Sequence, residues 1–245
     1  MKAMVLAAGL GTRLRPLTDQ RPKALVEVAG RTLLDLTLSR LRAFGIHDVI
    51  INTHHFSDII AAYLQSHQNF GMHIAISHEE VLLDTGGGIK KAAPFFCDSN
   101  GPFLVHNVDV LSSIDLHEML HFHEEHNALA TLAVQSRSTS RYLLFDDHDR
   151  LCGRRSGLNG ESELARPANS TQALAFCGIH ILSPRIFSLV QETGTFSVIP
   201  LYLRLAAQNE TLLAYRADRY YWRDLGRTEH IEAVEQDIKE GRYCL

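Results

Sequence analysis

Short apolar runs alternate with stretches of helical periodicity through the first half of this chain, and that alternation restricts the fold more than any other feature. Strand-like runs lie at Met4 to Leu6, Val49 to Ile51, His73 to Ile76 and 102 to 106. Between the first two, Leu34, Leu38, Leu41 and Phe44 recur at helical spacing over 32 to 44, with Gly45 placed as a C-cap. Ile59, Ile60, Tyr63 and Leu64 mark a second helix before the third strand. A βαβ succession of this kind predicts an α/β fold, with a mixed, mainly parallel sheet flanked by helices.

The remainder reads less regularly. Residues 84 to 96 open with three glycines and continue as a basic helix, while 128 to 135 and 141 to 146 suggest a sheet extension or a hairpin. Residues 153 to 172 are polar and rich in Gly, Ser and Asn, which predicts a surface excursion. A strand at 174 to 182 then leads into a helix begun by Pro184. Another helix covers 196 to 207, short strands run at 211 to 216 and 219 to 223, and an amphipathic helix at 227 to 240 carries Ile231, Val234 and Ile238 on one face. With 245 residues, 45% of them hydrophobic, the chain can bury one large core. It shows no internal repeat and no hexapeptide pattern, so we expect a single domain, 1–245, without a C-terminal β-helix.

Composition removes several classes of function. A net charge of −4 gives no basic field for nucleic acid, so any anion chemistry must be local. Cys97, Cys152, Cys177 and Cys244 lie far apart, without a Cys-x-x-Cys pair, which suggests neither a zinc site nor a disulfide framework. No run reaches the roughly 20 apolar residues that span a bilayer, and no leader pattern precedes the first strand. The expectation is a soluble, cytoplasmic protein with neither membrane nor nucleic-acid partners.

The chemistry concentrates in residues 6 to 30, LAAGLGTRLRPLTDQRPKALVEVAG. A strand runs directly into Gly9 and Gly11, which let backbone N–H groups approach an anion. Arg13 adds a forked cation and Lys23 a point cation, two complementary ways of neutralising phosphate oxygens. A dinucleotide fingerprint would need glycine where Leu14 stands, and a P-loop would need Gly-Lys-Ser/Thr, which this stretch lacks. Farther on, the apolar run LVHNVDVL ends in Asp109, at the strand end where ligands of open α/β sheets sit. Seen alone, Asp109 is equally a cap or turn former. His106 shares that strand end. His54 and His55, among fourteen histidines, have no metal-ligand spacing and read as ordinary polar residues.

These motifs, Gly-Leu-Gly-Thr-Arg-Leu-Arg-Pro-Leu-Thr followed by Pro-Lys-Ala-Leu, resemble the opening signature of the sugar-1-phosphate nucleotidyltransferases, or nucleotide-sugar pyrophosphorylases. In length, ending and Thr-Gly-Gly-Gly run the chain looks most like their single-domain N-acetylmuramate-1-phosphate uridylyltransferases of bacterial cell-wall recycling. The resemblance implies a Rossmann-like domain of the nucleotide-diphospho-sugar transferase type. It further implies a nucleotide held by Ala8, Gly9, Gly11, Thr12, Arg13, Lys23, Thr85, Gly86 and Gly87, and a sugar side formed by Asn107, Gly178 and Asp224.

The same resemblance places Mg²⁺ on Asp109 and on Asp224 of the late Trp-Arg-Asp-Leu-Gly motif, with Arg13, Lys23 and Asp109 as the catalytic set. Arg13 would neutralise departing pyrophosphate, and Lys23 would bridge the α-phosphate and the sugar phosphate. The implied partners are a nucleoside triphosphate and a sugar-1-phosphate, UTP and N-acetylmuramate-1-phosphate by overall similarity, with a monomer or weak homo-oligomer. Departures from the pattern are Val108 before the aspartate, Arg227 where Thr is usual, Leu82 where some relatives carry a base-reading Gln, and Phe176 in place of Asn. Base choice then falls to backbone groups or Glu80. Two rivals stay open: a metal-dependent glycosyltransferase, which would show Asp-x-Asp at the strand end, and a non-catalytic sugar-nucleotide sensor, which would tend to lose Arg13 or Lys23. Within the enzyme class, guanylyl-, thymidylyl- and heptose-phosphate enzymes compete.

Overall fold

The computed structural model describes residues 1–97, 101–157 and 159–244. Its first half realises the βαβ succession: β1 (Lys2–Leu6), a ribbon of β2 (Glu27–Val28) and β3 (Arg31–Thr32), α1 (Leu33–Ala43), β4 (Asp48–Thr53), α2 (Ser57–Ser66), β5 (His73–His78), α3 (Asp84–Lys91), α4 (Ala93–Phe96) and β6 (Phe103–Asn107). Thr32 Oγ1 caps α1 by accepting from the Asp35 amide at 3.1 Å. Gly45, at φ 72°, ends it as expected. β1 lies between β4 and β6 and is parallel to both, so Met4 sits beside Ile50 on one side and Val105 on the other. β5 extends the parallel set next to β4.

The second half contributes β7 (Val110–Ser112), α5 (Leu116–Glu125), β8 (Ala130–Gln135), β9 (Arg141–Phe145), β10 (Leu151–Ser156), β11 (Ser162–Leu164), β12 (Gln172–Leu182), α6 (Ile186–Leu189), α7 (Val198–Ala207), β13 (Leu212–Arg216), β14 (Trp222–Asp224) and α8 (Thr228–Lys239). The sheet runs β11-β10-β9-β12-β6-β1-β4-β5, with β8 joining β12 to a parallel β13. The long strand β12 is antiparallel to β6, β8 and β9 and holds the two halves together. Its pairing with β8 shifts register between Phe176 and His180, around Gly178 at φ 73°, a bulge that lies beside Asn107 at the carboxyl end of β6.

Alternation along the buried strands fills two cores. Ala3, Val5 and Leu104 pack with Leu34, Leu38, Ile60, Met119 and Val234 from α1, α2, α5 and α8. Met4, Phe103 and Val105 pack on the other face with Ile89, Phe96, Ile186 and Tyr202 from α3, α4, α6 and α7. Phe96 stacks on Phe103 at 4.0 Å, and Phe103 on Phe187 at 5.4 Å. No described helix is long and apolar enough to cross a membrane.

Two sequence expectations change. Residues 153 to 172 are not simply a surface excursion, because β10 and β11 pair there antiparallel, with Gly153 opposite Leu164. A Cβ at Gly153 would come within 2.4 Å of the Glu163 carbonyl, so the glycine serves close strand approach. The polar side chains hid this hairpin, since an outer strand is held by backbone bonds and needs no apolar face. The strand expected at 219 to 223 is β14, which pairs with β7 outside the main sheet, Asp224 opposite Val110. The glycines of 86 to 88 lie in the first turns of α3, in keeping with the glycine-rich helix opening read from the sequence.

Buried histidines set the acid limit of the fold. His106 and His180 are enclosed by the sheet, and burial pushes their imidazoles down from the ordinary 6.5, to about 4 and about 3. His123 falls to about 4 for the same reason. The unfolded chain therefore takes up protons near pH 6.5 while the native state does not, so this stabilisation is complete above that pH and is lost as pH falls toward 4. Each histidine contributes at most about 1.4 kcal/mol per pH unit across the window. Urea midpoints should accordingly drop between pH 7 and 5, and a flat profile would mean that the three rings ionise in place.

Candidate active site

The carboxyl ends of β1, β4 and β6 meet the β12 bulge and β14 in one cleft. After β1 the chain turns through exposed Gly9 and Leu10, and Gly11 adopts φ 65°. No protein acceptor takes the amides of Gly9, Leu10 and Gly11 among the described residues. A Cβ on Gly9 would meet nothing within 4 Å, so this stretch offers free N–H groups to an approaching anion. Gly11 is different: its carbonyl accepts from Thr18 Oγ1 at 2.9 Å, and a Cβ would lie 2.9 Å from the Thr18 methyl and 3.1 Å from Lys23 Cβ. Ala8 is buried beneath the turn, while Thr12 and Arg13 are exposed on it.

Lys23 and Asp109, 86 residues apart, form a half-buried ion pair through Nζ and Oδ2. Asp109 follows β6, and its carbonyl accepts from the Leu225 amide at 2.7 Å, which sets Asp224 alongside. Asp224 Oδ1 accepts from the Gly226 amide at 2.6 Å. A Cβ at Gly226 would lie 2.9 Å from Arg13 Nη2, so the glycine of Asp-Leu-Gly is what lets the Arg13 guanidinium close on the Asp224 turn. Arg13, Lys23, Asp109 and Asp224 thus converge although the sequence scatters them. Asp109 Oδ1 and Asp224 Oδ2 receive no protein donor among the described residues. Two carboxylates with one open oxygen apiece suit a hard divalent cation that takes its other oxygens from phosphate and water. No described cluster of three or more His, Cys, Asp or Glu offers a fully protein-built metal cage.

On the β12 side, Gly178 is forced by Asn107, whose Nδ2 would sit 2.6 Å from a Cβ there. Trp222 Nε1 donates to the Cys177 carbonyl at 2.8 Å and locks β14 against the bulge. Val108, the departure beside Asp109, points into the core at 3% exposure, and its amide donates to the Leu6 carbonyl at 3.1 Å. Its bulk therefore does not face the cleft. Arg227 leaves α8 without a side-chain cap and pairs with Glu229 at 3.3 Å.

The glycines of α3 have partners of their own. The amides of Gly86 and Gly87 both donate to the Phe196 carbonyl, at 2.9 and 3.1 Å, and Thr85 Oγ1 accepts from Val198 at 3.0 Å. These groups are engaged within the protein, and the missing Cβ atoms admit Phe196 and the Gly194 carbonyl. His106 is wholly buried, its Nδ1 at 2.8 Å from the Asn107 carbonyl and its Nε2 without a partner among the described residues. His54 rests on the Glu79 carbonyl at 2.7 Å.

Sequence reasoning missed Asn52 and Glu79. Asn52, next to last in β4, accepts from the Ala7 amide at 2.8 Å and donates to Glu79 Oε1 at 2.8 Å. Glu79, with no exposure, accepts at Oε2 from the Leu83 amide at 2.9 Å. The glycine turn is thereby tied to the loop that enters α3. Glu80, which with backbone groups was one of two candidates for base choice, is exposed. A polar residue closing an apolar strand was the available signal for Asn52, whereas Glu79 gave none. Glu79→Ala would leave the Asn52 and Leu83 donors buried and unsatisfied, so we expect a loss of about 2–4 kcal/mol in urea unfolding. A loss below about 1 kcal/mol would show that the network is dispensable.

The sequence matches the Nucleotidyl transferase family over residues 2–241. It is 39% identical to the N-acetylmuramate alpha-1-phosphate uridylyltransferase of Caulobacter vibrioides, over 97% of each chain. It is 32% identical to the protein of the same description from Neisseria meningitidis serogroup B, over 92% of this chain and 93% of that one. Among solved structures, UDP-glucose pyrophosphorylase complexed with UDP-glucose superposes with a TM-score of 0.78 at 20% identity, over 98% of this chain and 99% of that one, and so shares the fold. Glycine turn, paired lysine and paired carboxylates therefore sit on the scaffold of known relatives, and the chain belongs to the nucleotidyl transferase family.

Proposed function

We propose that the protein transfers the uridylyl group of UTP to N-acetylmuramate-1-phosphate, forming the nucleotide-sugar and releasing pyrophosphate. The observation that carries this reading is the convergence of Arg13, Lys23, Asp109 and Asp224 beside a turn with free amides. The substrate pair is supported by near full-length similarity to the Caulobacter protein. Glycosyltransferase chemistry loses support, because Asp109 is followed by Val110 and Leu111 and no Asp-x-Asp closes the strand.

In the reaction, an oxygen of the sugar phosphate forms a bond to the α-phosphorus as the bond to the β-phosphate oxygen breaks, and the electron pair leaves with pyrophosphate. The nucleophile is already an anion, so neither a general base nor a covalent intermediate is required; alignment and charge neutralisation suffice. The amides of Gly9 to Gly11 and the exposed Arg13 guanidinium meet the β- and γ-phosphates. Lys23 lies where the α-phosphate and the incoming phosphate would crowd together, and it shifts between Asp109 and those oxygens. Asp109 and Asp224 would hold Mg²⁺ through their open oxygens, where the ion supplies charge neutralisation for the triphosphate. Asn107 and Gly178 border the acceptor. We further propose that the protein works as a monomer or weak homo-oligomer in the cytoplasm.

Replacing the charges tests the chemistry. Arg13→Met and Lys23→Met should lower kcat more than they raise KM, by roughly 2–4 kcal/mol of barrier each. Asp109→Asn should remove most activity at saturating Mg²⁺ while the thermal midpoint is retained. Pure KM effects across this set would indicate phosphate binding without catalysis, as in a sensor.

The substrate pair is tested by pyrophosphate release. Five triphosphates assayed with N-acetylmuramate-1-phosphate should rank UTP first in kcat/KM. A lead of tenfold or more by GTP or dTTP, about 1.4 kcal/mol in transition-state binding, would overturn the base assignment while leaving nucleotidyl transfer in place.

A further inference from the structure

Two arginines on the β12 side of the cleft form no ion pair among the described residues. Arg137 follows β8; its Nη2 donates to the Phe176 carbonyl at 2.8 Å, and its guanidinium lies 3.8 Å over the Trp222 ring. Arg155, on β10, lies 5.3 Å over the ring of Tyr142, its partner in the β9–β10 ladder. Tyr142 also acts electrostatically on Arg137, as does Asp224. The Nε atoms of both arginines are buried without an acceptor among the described residues. Neither side chain forms an ion pair among the described residues, although Arg154, next in sequence to Arg155, pairs with Glu163 at 2.6 Å.

A half-buried guanidinium that keeps an aromatic platform but no carboxylate is oriented for a planar anion from outside the chain. Its place in the sheet says which substrate brings that anion. Asp109 follows β6. The glycine turn after β1, with β4, β5 and α3, lies to one side of it, and β12, β9 and β10 lie to the other. If the nucleotide occupies the β1–β4–β5 half, the acceptor sugar lies over the half that carries Arg137, Tyr142 and Arg155. Arg137 and Trp222 also grip the consecutive carbonyls of Phe176 and Cys177, so the bulge that borders the sugar and the guanidinium are one rigid unit.

We propose that Arg137, assisted by Arg155, receives a carboxylate carried by the acceptor sugar and makes the enzyme selective for an acidic sugar-1-phosphate over a neutral one. The proposal rests on the reading of N-acetylmuramate-1-phosphate as acceptor, since its lactyl ether carries that carboxylate whereas N-acetylglucosamine-1-phosphate has none. The 1-phosphate, common to both sugars, is the competing source of negative charge.

The experiment compares the two sugar phosphates at saturating UTP and Mg²⁺, using the full chain and its Arg137→Gln, Arg137→Lys and Arg155→Gln variants. We expect Arg137→Gln to lower kcat/KM for N-acetylmuramate-1-phosphate at least tenfold, through KM, with less than a twofold change for the neutral sugar and for the KM of UTP. Arg137→Lys should recover part of the preference, and Arg155→Gln should show the same selective loss to a smaller extent. Equal losses on both sugars would place the contact on the shared phosphate or on the fold and overturn the proposal. So would an acid preference that survives in Arg137→Gln. A wild-type enzyme that turns over the neutral sugar but not the acid would overturn the acceptor reading and this proposal with it, an outcome distinguishable because it needs no variant.

Discussion

The cleft depends on one carboxyl group that never touches solvent. Glu79 joins the end of β4, through Asn52, to the loop entering α3, through Leu83, and Asn52 passes the connection on to Ala7 at the base of the glycine turn. Strands fix distances within the sheet, but the loops beyond their ends have no ladder to register them. Buried polar groups supply that register here, because in an interior without water a donor that loses its acceptor costs far more than the bond itself yields. The network also dictates sequence at a distance. Gly88 packs where a Cβ would lie 2.9 Å from both Asn52 Nδ2 and Glu79 Oε1.

Around this frame the charges are arranged in compensating fashion. Asp109 is neutralised by Lys23, and Asp224 is steadied by the Gly226 amide with the Arg13 guanidinium close by. Such a site can hand cations from carboxylate to phosphate without large changes in local charge, which favours a reaction in which negative charge moves between phosphorus centres. The bulge in β12 supplies the opposite wall and has to break the ladder to do so. Regular pairing would carry Gly178 past Asn107 instead of against it.

The fold was legible where burial acts on both faces of a strand. β1, β4 and β6 are apolar through their middles because helices cover the sheet on each side, and the helices between them showed their period through Leu34, Leu38 and Leu41. β10 and β11 were not legible, since Arg154 and Glu163 face outward and backbone pairing leaves no hydrophobic trace. The glycines of α3 were ambiguous for a related reason: a glycine admitting Phe196 and a glycine admitting a ligand look alike in sequence. At the site, Gly9, Arg13, Lys23 and Asp109 stood out by motif, whereas Glu79 derives its importance from Asn52, 27 residues away, a relation that a single sequence does not display.

The ladder between β7 and β14 also bears on how the protein is made. It sets Asp224 opposite Val110, so the two carboxylates meet across more than a hundred residues of intervening chain. A ribosome delivers the glycine turn, the lysine and the first aspartate early, and the sheet from β1 to β6 can begin to form around them. The second aspartate emerges more than a hundred residues after the first, with α8 following directly behind it. Nascent chains would therefore carry a nearly finished nucleotide cradle with half of its acidic pair missing, and the contact that completes the cleft is among the most non-local the fold must make.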